Sequence, residues 1–166
     1  MTATALKDGS KILTFRLADE EYGVDILKVR EILGMQPITP VPGTAAHLRG
    51  VINLRGRIIP VMDLRKRFGM DSIQLATACI VTVQVTRADG EALVGLLVDA
   101  VSEVSGVAAG QVEPMPSVGG TQSSEEVLGL LKSQDRVRIL LDIDKVVGTS
   151  ASSVQALIAP LQLAAV

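Results

Sequence analysis

The sequence predicts an all-β protein: two small five-stranded, SH3-like antiparallel barrels related by internal duplication, with short helical pieces. Three observations predict it. Aliphatic and β-branched residues alternate at a period of two over short runs bounded by Gly, Pro, Asn and Asp, the pattern of strands. The stretch Leu48 to Leu64 spells two strands and the two-residue turn between them. The second half then repeats landmark residues of the first in the same order. Each copy has about five strands, too many for a flat open sheet, and short, strongly twisted strands close or roll up.

Residues 1 to 10 are small and polar and read as a flexible lead-in. From Lys11, Leu13, Phe15 and Leu17 alternate with Thr14 and Arg16 as a strand. Ala18-Asp19-Glu20 turns the chain into a second strand from Glu21 to about Ile26. A third extended stretch covers Val29 to Leu33. Because Ile26, Val29 and Leu33 also stand at i, i+3 and i+7, a helix over Asp25 to Leu33 is the alternative there. Pro37, Pro40 and Pro42 exclude a regular helix, and Thr44 reads as the N-cap of a short turn through Ala45, Ala46 and His47. In the hairpin, Val51 to Leu54 and Arg57 to Leu64 flank Arg55-Gly56, where Gly56 accepts a positive φ without steric cost. Ile58, Met62 and Leu64 share one strand face and Ile59 and Val61 the other, so both faces are expected to be covered. Leu64 to Phe68 is a short basic helical turn stopped by Gly69.

The duplication can be followed residue by residue. Tyr22-Gly23-Val24 aligns with Val94-Gly95-Leu96, and without a gap Ile26 meets Val98, Val29 meets Val101, Glu31 meets Glu103 and Ile32 meets Val104. Pro40-Val41-Pro42 corresponds to Pro114-Met115-Pro116, and Gly50, Arg57, Asp63 and Lys66 to Gly129, Arg136, Asp142 and Lys145. The offset grows only in loops, most around Ser117 to Ser124, whose Gly and Ser content suits a surface insertion. The expected organisation is one barrel over residues 11–70, a second over 77–147, packed on a shared apolar interface, and a tail or short helix over 148–166.

Composition narrows the function classes. Of 166 residues, 48% are apolar but only 2% aromatic, so the core is aliphatic, and the net charge of −2 gives no bulk attraction to nucleic acid or anionic membrane. The single cysteine, Cys79, excludes an intrachain disulfide framework and points to a reducing, cytoplasmic compartment. It lies in the alternating run Ala78 to Val85 and reads as a small buried hydrophobe. No signal peptide precedes the first strand and no run is long enough to span a bilayer, so direct membrane insertion is not expected. His47, the one histidine, has no zinc-site neighbours and reads as solvent-facing. There is no phosphate loop, dinucleotide fingerprint or nucleophile elbow, and the acids Asp19-Glu20-Glu21 and Asp142-x-Asp144 read as turn residues and caps. No catalysis and no cofactor are expected.

One charged cluster remains: Arg49, Arg55, Arg57, Arg65, Lys66 and Arg67 around the hairpin. Small β-barrels bind single-stranded nucleic acid through such residues plus stacked aromatics. With two Phe, one Tyr and no Trp there is little to stack on, so a nucleic-acid or small-ligand module is the alternative function. A solvated face, or a docking surface for an acidic protein partner, fits better.

The chain also resembles the bacterial chemotaxis coupling family typified by CheW, over roughly Leu13 to Val147. The residues that carry the likeness are Asp19 to Ile26, Lys28 to Ile32, Arg49-Gly50-Val51-Ile52-Asn53-Leu54-Arg55-Gly56, Ile59-Pro60-Val61, Asp63-Leu64-Arg65 and Val98-Asp99. The resemblance implies two five-stranded barrels and a non-catalytic adaptor that joins the cytoplasmic tips of chemoreceptors to the regulatory domain of the histidine kinase CheA. It implies that Glu31 and Arg55, with Val29, Asn53, Gly56 and Arg57 around them, form the interaction surface of the first barrel. Gly95, Val101 and Val104 would line the receptor-facing side. The Gly-Gly loop and the Ala-rich tail depart from the family pattern, and nothing is carried onto them.

Overall fold

The structure is a computed structural model that describes residues 9–71, 76–87, 90–114, 126–133 and 135–148. The lead-in up to residue 8, the Ser117–Ser124 insertion and the tail beyond Gly148 lie outside the described residues. Strands β1 (Ser10–Leu17) and β2 (Glu20–Asp25) form the first hairpin. Where a helix over Asp25 to Leu33 was the alternative, there is a single 3-10 turn, Ile26–Lys28, capped by the Asp25 side chain, and then β3 (Val29–Gly34). Thr44 caps no helix. Its hydroxyl donates backwards to the Val41 carbonyl at 2.9 Å, and a plain turn closed by the Leu48 N–H on the Ala45 carbonyl delivers the chain into β4 (Leu48–Leu54). β5 (Arg57–Asp63) follows the two-residue turn.

Each copy ends in one helical turn whose N-cap is the matched aspartate. Asp63 accepts from the Lys66 N–H to start α1 (Leu64–Arg67), and Asp142 accepts from the Lys145 N–H to start α2 (Ile143–Val147). The remaining strands are β6 (Cys79–Arg87), β7 (Gly90–Val98), β8 (Ala100–Val107), β9 (Val112–Glu113), β10 (Val127–Ser133) and β11 (Arg136–Leu141).

These strands build two sheets, and the all-β reading with two β bodies holds. The sheets do not follow the spans 11–70 and 77–147. One runs β8-β1-β2-β11-β10-β9 and the other β3-β6-β7-β5-β4. Each copy of the duplicated unit therefore lends its first hairpin to the sheet of the other. The exchanged hairpin enters by the same two joints: an antiparallel edge, β1 on β8 or β6 on β3, and a parallel one, β2 on β11 or β7 on β5. Even the short β9 has its counterpart in the isolated bridge of Thr39 to Val51. Alternation in a sequence says that both faces of a strand are covered, but it does not say which strand lies beside it.

The landmark glycines are explained by this architecture. Gly50 and Gly129 stand at matching irregularities in β4 and β10, where the crossing segment approaches so closely that a side chain has no room. A Cβ on Gly50, which has φ 142, would overlap the Thr39 carbonyl oxygen, and one on Gly129 would sit 2.7 Å from that of Glu113.

The core has three parts. A large central cluster, including Leu13, Phe15, Tyr22, Met62, Leu64, Val81, Val83, Leu96, Val98, Ile143 and Val146, lies between the two sheets. Smaller clusters fill each body, one around Ile52, Ile59, Val61 and Ile80, the other around Ile12, Val107, Leu131 and Leu140. The two faces of β5 divide as expected, with Met62, and Leu64 just past the strand, in the shared core and Ile59 and Val61 inside the five-stranded body. All three aromatic residues are used in one stack, Phe15 on Tyr22 on Phe68, with ring centroids 6.0 and 5.7 Å apart.

Candidate partner-binding site

The β4–β5 turn has both central residues in the left-handed region, Arg55 at φ 52 and Gly56 at φ 87, as a type I′ hairpin requires. Asn53 stabilises it by accepting the Gly56 N–H on Oδ1 at 2.8 Å. Glycine is free to adopt this conformation, but a residue with a Cβ is strained there, so Arg55 is placed at some cost to the fold. Its guanidinium reaches across to Glu31 on β3 in a two-pronged contact, Nη2 to Oε1 and Nη1 to Oε2. The carboxylate raises the arginine pKa further, by hydrogen bonding first and charge second.

β3 and β4 are the opposite edges of the five-stranded sheet. The Arg55–Glu31 pair therefore draws the two edges together at one end of the body. It also stays accessible, because the Arg55 side chain is 70% exposed and that of Glu31 33%. Such an exposed pair adds little stability, so its guanidinium can be shared with a partner's acid at small cost. Around it lies an open cleft of about 490 Å³ lined by Arg30, Glu31, Arg55, Arg57, Gln84 and Glu91 among others. Gln84 links the cleft walls, accepting from Arg30 and donating to Glu91.

The sequence-predicted residues thus separate into groups. Glu31, Asn53, Arg55, Gly56 and Arg57 come together at the rim of the cleft. Val29 precedes them on β3 but packs against the shared core. Val101 and Val104 lie on β8, the edge of the other sheet; Val101 leans on the shared core, whereas Val104 is 50% exposed. Gly95 does not reach the surface. It is buried in β7, and a Cβ there would stand 2.8 Å from Ile80 Cγ2 and 3.4 Å from Val61 Cγ2, so its place in the pattern reflects packing inside the five-stranded body. Its duplicate Gly23 is closed in the same way by Ile12 and Leu140.

Most of the basic cluster is paired within the chain, though only Arg65 is buried. Arg49 pairs with Asp63 at 3.1 Å, Arg65 is buried against Asp99 at 2.6 Å, and Arg67 holds Glu126 and the Val146 carbonyl. With these charges paired and the aromatics consumed by the core stack, the rim offers neither the free basic groove nor the stacking platform of a single-strand binder. His47 is half-buried rather than solvent-facing, and burial with the nearby Arg67 lowers its pKa, keeping the imidazole neutral near pH 7. The thiol of Cys79 is pushed up by burial. Among the described residues no group of His, Cys, Asp and Glu could hold a metal ion, and no helix is long and apolar enough to cross a membrane.

Gln84, which lines the cleft, was missed by the sequence reading. The signal was present: Val81, Val83 and Val85 alternate toward the shared core, which assigns the polar residues between them to the opposite face, where the cleft opens.

Comparison with known proteins agrees over nearly the whole chain. The family model of the CheW-like domain matches residues 11–151. The chain is 38% identical over 141 residues to chemotaxis protein CheW of Klebsiella aerogenes, covering 85% of this chain and 83% of that protein. It is 35% identical over 138 residues to chemotaxis protein CheW of Rhizobium meliloti, covering 83% and 87%. Among solved structures, the crystal structure of scaffolding protein TtCheW from Thermoanaerobacter tengcongensis superposes with a TM-score of 0.73 at 37% identity, over 83% of this chain and 92% of that one.

Proposed function

The chain belongs to the CheW-like domain family, and from that premise we propose that it is a non-catalytic chemotaxis adaptor coupling membrane chemoreceptors to the regulatory domain of the histidine kinase CheA. The relatives carry names of chemotaxis and scaffolding proteins rather than of enzymes. The observation that supports a docking role most directly is Arg55: a charged side chain held in a left-handed turn, largely exposed, at a place where glycine or asparagine would fold more easily. An arginine fork there offers bidentate geometry to an acidic group on a partner.

Two different surfaces let one chain hold two partners. The cleft rim with Glu31, Asn53, Arg55, Gly56 and Arg57 is one. The β8 edge with Val101 and Val104 is the other, facing the receptor, with Val29 at the matching position on β3. Linking two modest interfaces raises the effective concentration of each partner for the other. The protein acts in the cytoplasm at membrane-bound receptor arrays. The test is a titration of the kinase regulatory domain and, separately, of a cytoplasmic receptor fragment against wild type, Arg55→Asn and Val104→Asp. Each substitution is expected to weaken one partner at least tenfold and spare the other. Unaltered binding of both partners by both variants would overturn the proposal.

A further inference from the structure

β3 carries a bulge at the site. Val29 pairs with Val83 and Glu31 with Thr82, which leaves Arg30 as the extra residue on β3. In a regular strand Val29 and Glu31 would share a face. The bulge separates them, turning Val29 to the shared core while Glu31 and Leu33 face the five-stranded body, whose interior cluster Leu33 joins. One side chain holds this arrangement. Thr82, only 1% exposed, accepts the Glu31 N–H on its hydroxyl at 2.9 Å and donates to the Glu31 carbonyl at 3.2 Å.

The duplicated unit supplies an internal comparison. On the other sheet Thr14 faces Glu103 across an equivalent bulge, at which Ser102 is the extra residue. There the buried Thr14 hydroxyl has no hydrogen-bond partner among the described residues. Glu103 is fixed by Arg138 instead, at 3.0 Å, and that arginine is only 13% exposed and also grips Glu21 and Ser105. Among the described residues Glu31 meets no such buried arginine; its partner Arg55 sits at an exposed tip.

We propose that Thr82 is a positioning residue for the partner-binding rim, its hydroxyl locking the β3 bulge so that Glu31 is aimed at Arg55. The assignment rests on the adaptor reading for its consequence but not for its geometry. Thr82→Val keeps shape and strand preference while removing both hydrogen bonds, and Thr82→Ser keeps the hydroxyl. In the full-length protein, amide hydrogen exchange at Glu31 should speed up at least tenfold in Thr82→Val and stay near wild type in Thr82→Ser. Binding to the kinase regulatory domain should fall in Thr82→Val as far as in Glu31→Gln, with no further loss in the double variant, full binding in Thr82→Ser and the receptor fragment spared throughout. Unchanged exchange at Glu31 in Thr82→Val, losses that add in the double variant, or failure of serine to restore binding would each overturn the proposal. If instead Glu31→Gln and Arg55→Asn both bind normally, the rim assignment is what fails, and the exchange measurement, which needs no partner, still decides the bulge.

Discussion

A single methyl group added at Gly95 lands 2.8 Å from Ile80 Cγ2 in the middle of the five-stranded sheet. Overpacking of that kind costs about 1–3 kcal/mol, so Gly95→Ala should lower the melting temperature by several degrees. Binding should be lost only in proportion to unfolding; thermal melts beside partner titrations check this. The pH response of His47 is a second expectation at this scale. Its folded pKa lies below the unfolded value of about 6.5, so the unfolded chain takes up the proton first and stability falls as pH drops below about 6.5. Relative to His47→Gln, wild type should therefore lose more melting temperature between pH 7.5 and 5.5, measured by paired thermal scans. Glycines illustrate what the sequence hides at residue level. Gly56 was legible because a two-residue turn demands it, whereas Gly95, inside a matched motif, looked equally like a surface position until Ile80 and Val61 were seen to close over it.

Two clamps fasten the elements where the chain crosses from one sheet to the other. Between β7 and β8, Asp99 accepts both Arg65 of α1, through Nε and Nη2, and the Ala18 N–H at 2.7 Å in the β1–β2 turn. Between β2 and β3, Lys28 reaches Asp144 of α2 at 3.0 Å, and Asp144 also accepts the Thr86 N–H at 2.7 Å. The two clamps have opposite polarity: the helix contributes the cation in one and the anion in the other. They also differ in burial, with the Arg65 side chain 11% exposed and that of Lys28 32%. Removing one partner of a buried pair costs about 3–5 kcal/mol, whereas an exposed pair is worth about 0–1 kcal/mol. Arg65→Ala should accordingly shift the urea midpoint far more than Lys28→Ala. At this scale the cap at Asp142 was readable, with Asp63 as its duplicate, but the bulges were not, since an extra residue in a strand has no composition of its own. The helical spacing of Ile26, Val29 and Leu33 is produced by a 3-10 turn followed by such a bulge.

For the molecule as a whole, the exchange of hairpins has a consequence for folding. β6 and β7 lie between β3 and β5, so residues 1–75 alone lack the middle of their sheet, and residues 76–166 alone lack β1 and β2. Neither half should fold in isolation, the two mixed should regain the circular dichroism of the intact chain, and the full chain should unfold in one transition. The duplication itself was legible, because Gly50, Asp63 and their counterparts recur in order; the exchange was not, because order along the chain does not reveal which strands pair. The same interleaving joins the body that carries the cleft rim to the sheet whose edge is β8. The most direct test of the proposed chemotaxis adaptor role uses Arg55→Glu, with the melting temperature and receptor-coupled kinase activity measured on one preparation. A melting temperature within about 2 °C of wild type together with at least a tenfold loss of coupling is the expected result, and a variant that couples normally, or that melts well below wild type, would contradict it.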